Sequence, residues 1–398
     1  MKSIAVYTEE MDDLEVGVAE LLKQIESFEL LTSTVGVLFA HPDTDFEELM
    51  ERLLPNVDFP ILGSTAISMF TQAKGYTTQG ISLQVLTADD VEFHAGITPE
   101  LNKHNAKDEI QKLYKELAEK QSEKEKIILS YVNRVPGMVG DEVVAVIDEV
   151  SDCSPIYGGY ASDSFIFDDC RVIYNNEVRV HALGMVLISG NVRPRTIYEY
   201  SIRQEAEFSA TAHGCTSNSV ARLGTRTFVD AMEMIGMHPT DEQDAFTETV
   251  GMPLMVTYET PYGDEINKMR HMNSIDSAGR GIFIGNIPEG AQIHLCLLNR
   301  ADIRSSVQNA AKKAFEIVRE GRECGYNYST ILVTSCASRI MTFINDLKAE
   351  SDGYVAVIPA NMSMSGMYSF GEFCPTYGDY SGRMYNIFHN TTFTILML

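Results

Sequence analysis

Apolar and polar positions along the chain follow two rhythms, and their order repeats. A nearly continuous apolar run, Val35-Gly36-Val37-Leu38-Phe39, precedes an amphipathic stretch over 46–54. A second apolar run follows, Phe59-Pro60-Ile61-Leu62-Gly63-Ser64. The order recurs as Ile127-Ile128-Leu129-Ser130-Tyr131, an amphipathic stretch over 142–150, and Pro155-Ile156-Tyr157-Gly158-Gly159. It recurs again as Ile331-Leu332-Val333-Thr334-Ser335, a stretch over 340–347, and Tyr354-Val355-Ala356-Val357-Ile358, reaching Ser365-Gly366. Short continuous apolar runs read as buried strands, and stretches of period 3.6 read as helices. The intervals from strand start to glycine (35 to 63, 127 to 158, 331 to 366) each match one βαβ unit of about 30 residues. Further strands are expected at 80–86, 91–95, 182–188, 196–202 and 391–398.

Three helices lie outside these units. Ile110, Leu113, Tyr114 and Leu117 form one apolar stripe, which predicts a helix over 106–126 with a solvated Glu/Lys face. Val307, Ala310, Ala311, Ala314, Phe315 and Val318 predict a second over 305–319, and 227–237 a third. The segment 205–226 is polar and rich in small residues, so a domain boundary is placed near 207. The expected fold class is mixed α/β: two related layered halves of sheets flanked by helices, 1–207 and 208–398, built from repeated strand–helix–strand units.

Charge narrows the function classes. The 398 residues carry 31 Lys+Arg against 56 Asp+Glu, a formal net charge of −25. A nucleic-acid binder needs a basic footprint, so nucleic acid and anionic membrane surfaces are poor partners. No apolar run is long enough for a membrane-spanning helix, and the acidic start lacks the apolar core of a signal peptide. The 7 cysteines are widely spaced with no C-x-x-C, which points to reduced thiols and a cytoplasmic location. Gly279-Arg280-Gly281 opens a strand rather than a helix, so it is rejected as a dinucleotide fingerprint. No complete catalytic constellation is visible, so the chain is not expected to be an enzyme.

The candidate chemistry concentrates in the last seventy residues. Ser335-Cys336-Ala337-Ser338-Arg339 sits where a strand turns into a helix, a place where free backbone N–H groups favour anions. Arg339 there could grip a carboxylate or phosphate. Gly366-Met367-Tyr368-Ser369-Phe370-Gly371-Glu372 and His389-Asn390-Thr391-Thr392 follow. Glu372 could take an ammonium group or pair with Arg339. The corresponding ends of the first two repeats, Gly63-Ser64-Thr65-Ala66 and Gly158-Gly159-Tyr160-Ala161-Ser162-Asp163, are also glycine-rich and polar. If the repeats face one another, Gly63, Ser64, Thr65, Gly158, Gly159, Ser162, Asp163, Cys336, Arg339, Gly366, Tyr368, Glu372 and Asn390 would converge on one ligand pocket. Cys336 beside Arg339 could carry a lowered pKa, although no base is placed near it. Met362, Met364, Met367 and Met384 could form an adaptable binding surface or pack in the core.

The motifs, in this order, resemble those of FIST proteins. The runs at 35–39, 60–66, 80–83 and 155–163 resemble a FIST N-terminal domain. Gly251-Met252-Pro253-Leu254, Gly285-Asn286-Ile287-Pro288-Glu289-Gly290, Ser335-Cys336-Ala337-Ser338-Arg339, the 366–372 run and His389-Asn390-Thr391-Thr392 resemble a FIST C-terminal domain. The resemblance implies an intracellular sensor that binds a small polar ligand, with amino acids suggested. With no room for an output domain, it would signal through a separate protein: a kinase, a cyclic-dinucleotide enzyme or a chemoreceptor. A homodimer would be ordinary for such a sensor. The resemblance also raises a haem-binding nitric-oxide sensor as the alternative, with His181, His294 and His389 as candidate axial ligands. The strand pattern around Arg270-His271 departs from the usual one.

Overall fold

The computed structural model describes residues 1–200, 203–237, 250–343, 346–355 and 362–398. Each of the three units expected from the repeat lies at the centre of its own six-stranded sheet. Strands Ser33–Ala40 and Ile61–Thr65 pair in parallel. So do Ile127–Val132 with Ile156–Tyr160, and Thr330–Cys336 with Ser363–Ser369. Helices Phe46–Leu53 and Gly140–Ser151 make the first two crossovers. The third holds two short helices, Ala337–Thr342 and Ala349–Val355. An antiparallel strand flanks each first parallel strand: Ile81–Ala88, Leu183–Gly190 and Phe393–Met397. An outer strand lies beyond it: Lys2–Thr8, Val91–Ile97 and Arg195–Glu199.

The far edge of each sheet is completed by a hairpin from a different unit. The hairpin Met69–Thr71/Gly75–Thr77 of the first unit pairs with strand Ser363–Ser369 of the third. The hairpin Val172–Tyr174/Glu177–Arg179 of the second pairs with Ile61–Thr65 of the first. The hairpin Glu372–Tyr377/Met384–His389 of the third pairs with Ile156–Tyr160 of the second. The exchange is cyclic, and strands from both sides of residue 207 share two of the sheets.

One face of each of these three sheets turns toward a common core containing Val37, Phe39, Leu129, Tyr131, Tyr157, Val186, Leu332, Met367 and Leu396. Tyr157 crosses it, with its hydroxyl 2.9 Å from the Leu332 carbonyl and 3.1 Å from that of Thr394. The other faces are covered by helices. Leu14–Ile25 and Phe46–Leu53 cover the first sheet, and Ala106–Ala118 and Gly140–Ser151 the second. Arg300–Glu323 and Ala349–Val355 cover the third. Sheets buried on both faces explain why the central strands read as continuous apolar runs rather than as alternation. The mixed α/β class with helix-flanked sheets is what the structure shows.

The first two units run from outer strand straight to helix. In the third, residues 203–297 intervene between Arg195–Glu199 and Arg300–Glu323. They form a fourth six-stranded sheet with a three-stranded companion around Phe208, Val220, Phe228, Val256, Phe283 and Ile293.

Several expectations need correction. Tyr354 and Val355 end a helix rather than begin a strand, and the parallel strand starts at Ser363; Ala356, Val357 and Ile358 lie outside the described residues. The helix expected over 106–126 stops at Ala118, because its apolar stripe runs out after Leu117. The helix expected over 305–319 runs from Arg300 to Glu323, started by Asn299, whose side chain accepts the Asp302 N–H at 3.0 Å. Of the four methionines open to a surface or a core reading, Met362, Met364 and Met367 lie in the core and Met384 is half-buried.

Candidate functional site

The polar residues at the C-terminal ends of strands Thr330–Cys336 and Ser363–Ser369 form one buried network. Ligands of open α/β sheets collect at such strand ends. Cys336 ends its strand in an extended conformation, and the chain turns at once into helix Ala337–Thr342, which points Arg339 inward. Arg339 is wholly buried and meets Glu350 from the next helix: its Nε donates to Glu350 Oε1 at 2.8 Å, and an Nη2 contact to the same oxygen is 2.7 Å. Nη2 also donates to Ser306 Oγ at 2.9 Å, and the guanidinium lies 5.6 Å above the Phe393 ring. Glu350 accepts further from Ser335 Oγ at 3.1 Å and from the Tyr368 hydroxyl at 2.7 Å. Arg339 thus pairs with Glu350, not with Glu372 as the motif spacing suggested. Its Nη1 is buried with no hydrogen-bond partner.

Glu372 occupies the other half of the network. It accepts from Ser369 Oγ at 2.7 Å and from Thr392 Oγ1 at 2.6 Å. Burial pushes its carboxyl up to about 8, against the hydrogen bonds from Thr392 and Ser369. Gly371 precedes it at φ +155, and a Cβ there would lie 2.2 Å from the Phe388 ring. The turn 390–392 closes the network, with the Cys336 N–H donating to the Thr392 carbonyl at 2.9 Å. Asn390 is buried, and its Oδ1 has no partner. Burial pushes the Cys336 thiol up to about 12, with Glu372 adding to the effect. Burial and the neighbouring Glu372 thus oppose a thiolate at Cys336, the reverse of the lowered pKa that a place beside Arg339 could have given.

The inserted sheet meets this turn. Thr391 Oγ1 is hydrogen-bonded to His271 Nε2 at 2.7 Å. The buried Arg270 donates Nη1 to the Phe388 carbonyl at 3.1 Å and Nη2 to both Asp141 oxygens at 2.8 and 2.9 Å. Lys268 Nζ donates to the same Asp141 at 2.7 Å. Burial pushes the Lys268 amine down to about 8, with Arg270 adding to it. Burial opposes ionisation of Asp141, but the two cations hold its carboxyl below the usual range.

The hairpin exchange brings the three glycine-rich strand ends together. Gly159 is paired with Glu372. Ser162 Oγ donates to the Tyr368 carbonyl, and the Ser162 N–H donates to the Thr65 carbonyl at 3.1 Å. Ser64 Oγ lies 3.6 Å from Met367 Sδ. All the residues expected to converge are buried, and the contacts between them are packed. Gly63 and Gly158 lack a side chain for the neighbouring strand's sake: a Cβ would sit 1.9 Å from the Leu38 carbonyl oxygen and 2.0 Å from that of Ser130. Gly366 makes room for Phe70 in the same way. Asp163 faces its own loop, where its carboxylate accepts the N–H groups of Ile166, Phe167, Asp168 and Asp169 at 2.9 to 3.0 Å. Thr65 Oγ1 likewise accepts from the Arg171 N–H at 3.0 Å.

Sequence reasoning missed Glu350 and Ser306, and it quoted Ser335, Ser369, His271 and Thr391 in its motifs without giving them a place in the site. One signal could have found Glu350: a buried arginine needs a carboxylate, and Glu350 stands eleven positions beyond Arg339.

A haem needs an imidazole nitrogen beside an apolar slot, and the three candidate histidines are placed as follows. His389 is stacked on Tyr198, with Nε2 at 3.2 Å from the Cys374 carbonyl oxygen, and burial pushes it down to about 3. His181 Nδ1 is hydrogen-bonded to the Arg134 carbonyl at 2.6 Å. His294 lies in mid-strand of the inserted sheet between Ser209 and Met255. Among the described residues no group of three or more His, Cys, Asp or Glu side chains is placed to hold a metal ion, and no helix is long and apolar enough to cross a membrane.

No curated protein matches the chain in sequence. Two family models do match. The FIST N domain covers residues 34–225, and the FIST C domain covers residues 231–375. Domains of this kind are associated with sensory signal transduction and small-ligand binding. The second match contains Arg339, Glu350 and Glu372, and the two together span most of the molecule: the chain belongs to the FIST family.

Proposed function

We propose that the protein is a sensor that takes a small, polar, amino-acid-like ligand at the network of Arg339, Glu372 and Asn390 and signals through a separate output protein. The observation that carries this reading is that two of the buried, unpartnered polar atoms among the described residues, Arg339 Nη1 and Asn390 Oδ1, belong to this network. Leaving a buried polar group unsatisfied costs about 1–3 kcal/mol, and more for a charged one. A ligand carboxylate would give Nη1 its acceptor, and a ligand ammonium would give Asn390 Oδ1 its donor. Tyr368 and Cys336 line the same network. Ligand binding would repack this centre, and the change in partner affinity would be the output.

Thermal unfolding of the full chain with each of the twenty L-amino acids, and with acetate, tests the reading. A ligand at 100 times its dissociation constant should add about 2.7 kcal/mol. Asn390→Ala should abolish most of the shift. Acetate without an amino-acid response would mean that only the carboxylate is read. No shift across the panel would overturn the proposal.

A further inference from the structure

The turn at 390–392 is held from both sides, and one of its residues is strained. Thr391 sits at φ +62. A β-branched residue in the left-handed region is a true outlier, because its side chain crowds the following carbonyl. Such conformations persist only where the surroundings over-determine them. On the side of the third sheet, the Thr392 carbonyl is fixed by the Cys336 N–H and its hydroxyl by Glu372. On the other side the inserted sheet grips two points: Arg270 the Phe388 carbonyl, and His271 the Thr391 hydroxyl. These two points bracket His389 and Asn390. Arg270 is in turn pinned by Asp141 on helix Gly140–Ser151, so the grip is anchored to the body of the molecule.

We propose that the inserted sheet is a working part of the ligand centre, with His271 a positioning residue that aims Asn390 Oδ1 by holding Thr391 in its left-handed conformation. This rests on the ligand reading above. It assigns a role to Arg270 and His271: adjacent residues of the insert hold the two ends of the turn that carries the unpartnered amide oxygen. It also makes the insert the first element to feel a ligand, because any movement of Asn390 must strain or relax the Thr391–His271 bond.

Hydrogen exchange of the full chain, read without ligand on a peptide covering residues 386–394, tests the grip. His271→Phe and Thr391→Val each delete the bond from one side. Each should raise exchange in that peptide about tenfold, while strands Ser33–Ala40 and Ile127–Val132 keep wild-type rates. The double variant should exchange no faster than the faster single one, since both remove the same bond. His271→Gln should restore most of the protection. If His271→Phe fails to fold, Thr391→Val carries the test, because it leaves the insert and Arg270 untouched. Unchanged exchange at the turn, or additive effects in the double variant, would overturn the proposal. The thermal shift given by a pool of the twenty L-amino acids separates the two readings. A wild-type protein with no shift refutes the ligand reading. A wild-type shift that survives undiminished in Thr391→Val refutes positioning, and at least a threefold loss of apparent affinity supports it.

Discussion

Glu350→Gln should destabilise the third sheet far more than its conservative chemistry suggests. The amide keeps the shape of the carboxylate and can still accept from Tyr368 and Ser335. The guanidinium of Arg339, however, is left with its charge uncompensated. An exposed ion pair contributes no more than about 1 kcal/mol, whereas breaking a buried one costs about 3–5 kcal/mol. Burial decides between them, and both side chains are 0% exposed. At 1.4 kcal/mol per factor of ten, amide exchange in strand Thr330–Cys336 should accelerate by roughly 10²-fold to a few thousandfold. Adding Arg339→Met removes the orphaned charge and should recover more than half of the loss, because an apolar side chain of similar length suits a site beside Phe393. Acceleration below about fivefold for Glu350→Gln, or a double variant less stable than the single, would show that the pair is not what balances the centre.

Gly158→Ala should prevent folding of the second sheet, since its Cβ would meet the Ser130 carbonyl oxygen at 2.0 Å and its φ is +138; Gly251→Ala, with nothing within 4 Å, should leave expression and Tm unchanged. Glu372 ties stability to pH. Its folded pKa of about 8 lies above the ordinary 4.5, so its contribution is present below about pH 4.5 and is lost as pH rises toward and through 8. Glu372→Gln should therefore flatten the fall in unfolding free energy between pH 5 and 8, by an amount on the order of a few kcal/mol, as read from denaturant unfolding. Asp163→Ala leaves four backbone N–H groups of the 166–169 loop without an acceptor, and limited proteolysis should then cut near the exposed Ile166 at least tenfold faster than in the wild type. In native protein at pH 8, iodoacetamide should label the exposed Cys153 and Cys324 and leave Cys336 untouched.

The repeat was legible because each unit carries its own local signature. Apolar runs such as Ile127-Ile128-Leu129 and Ile331-Leu332-Val333 can be satisfied only by burial on both faces. The stretch Tyr354-Val355-Ala356-Val357-Ile358 has the same composition and misled for that reason: periodicity cannot separate a short buried strand from the end of a buried helix. There the helix carries Glu350 to Arg339, a tertiary demand that no local window contains. The convergence of the glycine-rich ends was readable as an idea, but its means was not. A three-residue hairpin such as Met69–Thr71/Gly75–Thr77 has too little sequence to name its partner strand. The pairing of Arg339 was misjudged because Glu372 shares its motif cluster while Glu350 sits in an unremarked Ala349-Glu350-Ser351-Asp352 stretch. His271 was invisible as a site residue because the chain reaches Thr391 from it only through the fold.

The cyclic exchange of hairpins makes the molecule resemble a closed ring of subunits written into one polypeptide. Each unit lends its hairpin to one neighbour and borrows from the other, the head-to-tail kind of contact that in separate chains either closes or runs on into fibres. Closure at three fixes the number. A fourth unit could not be added at an end, and a chain cut between units would not leave two smaller working proteins. Each fragment would instead display an unpaired sheet edge and an orphaned hairpin complementary to one another, so truncation should favour association between chains over partial folding. New material can enter only where no hairpin is in transit, and the 203–297 insertion lies at such a point, between an outer strand and its helix.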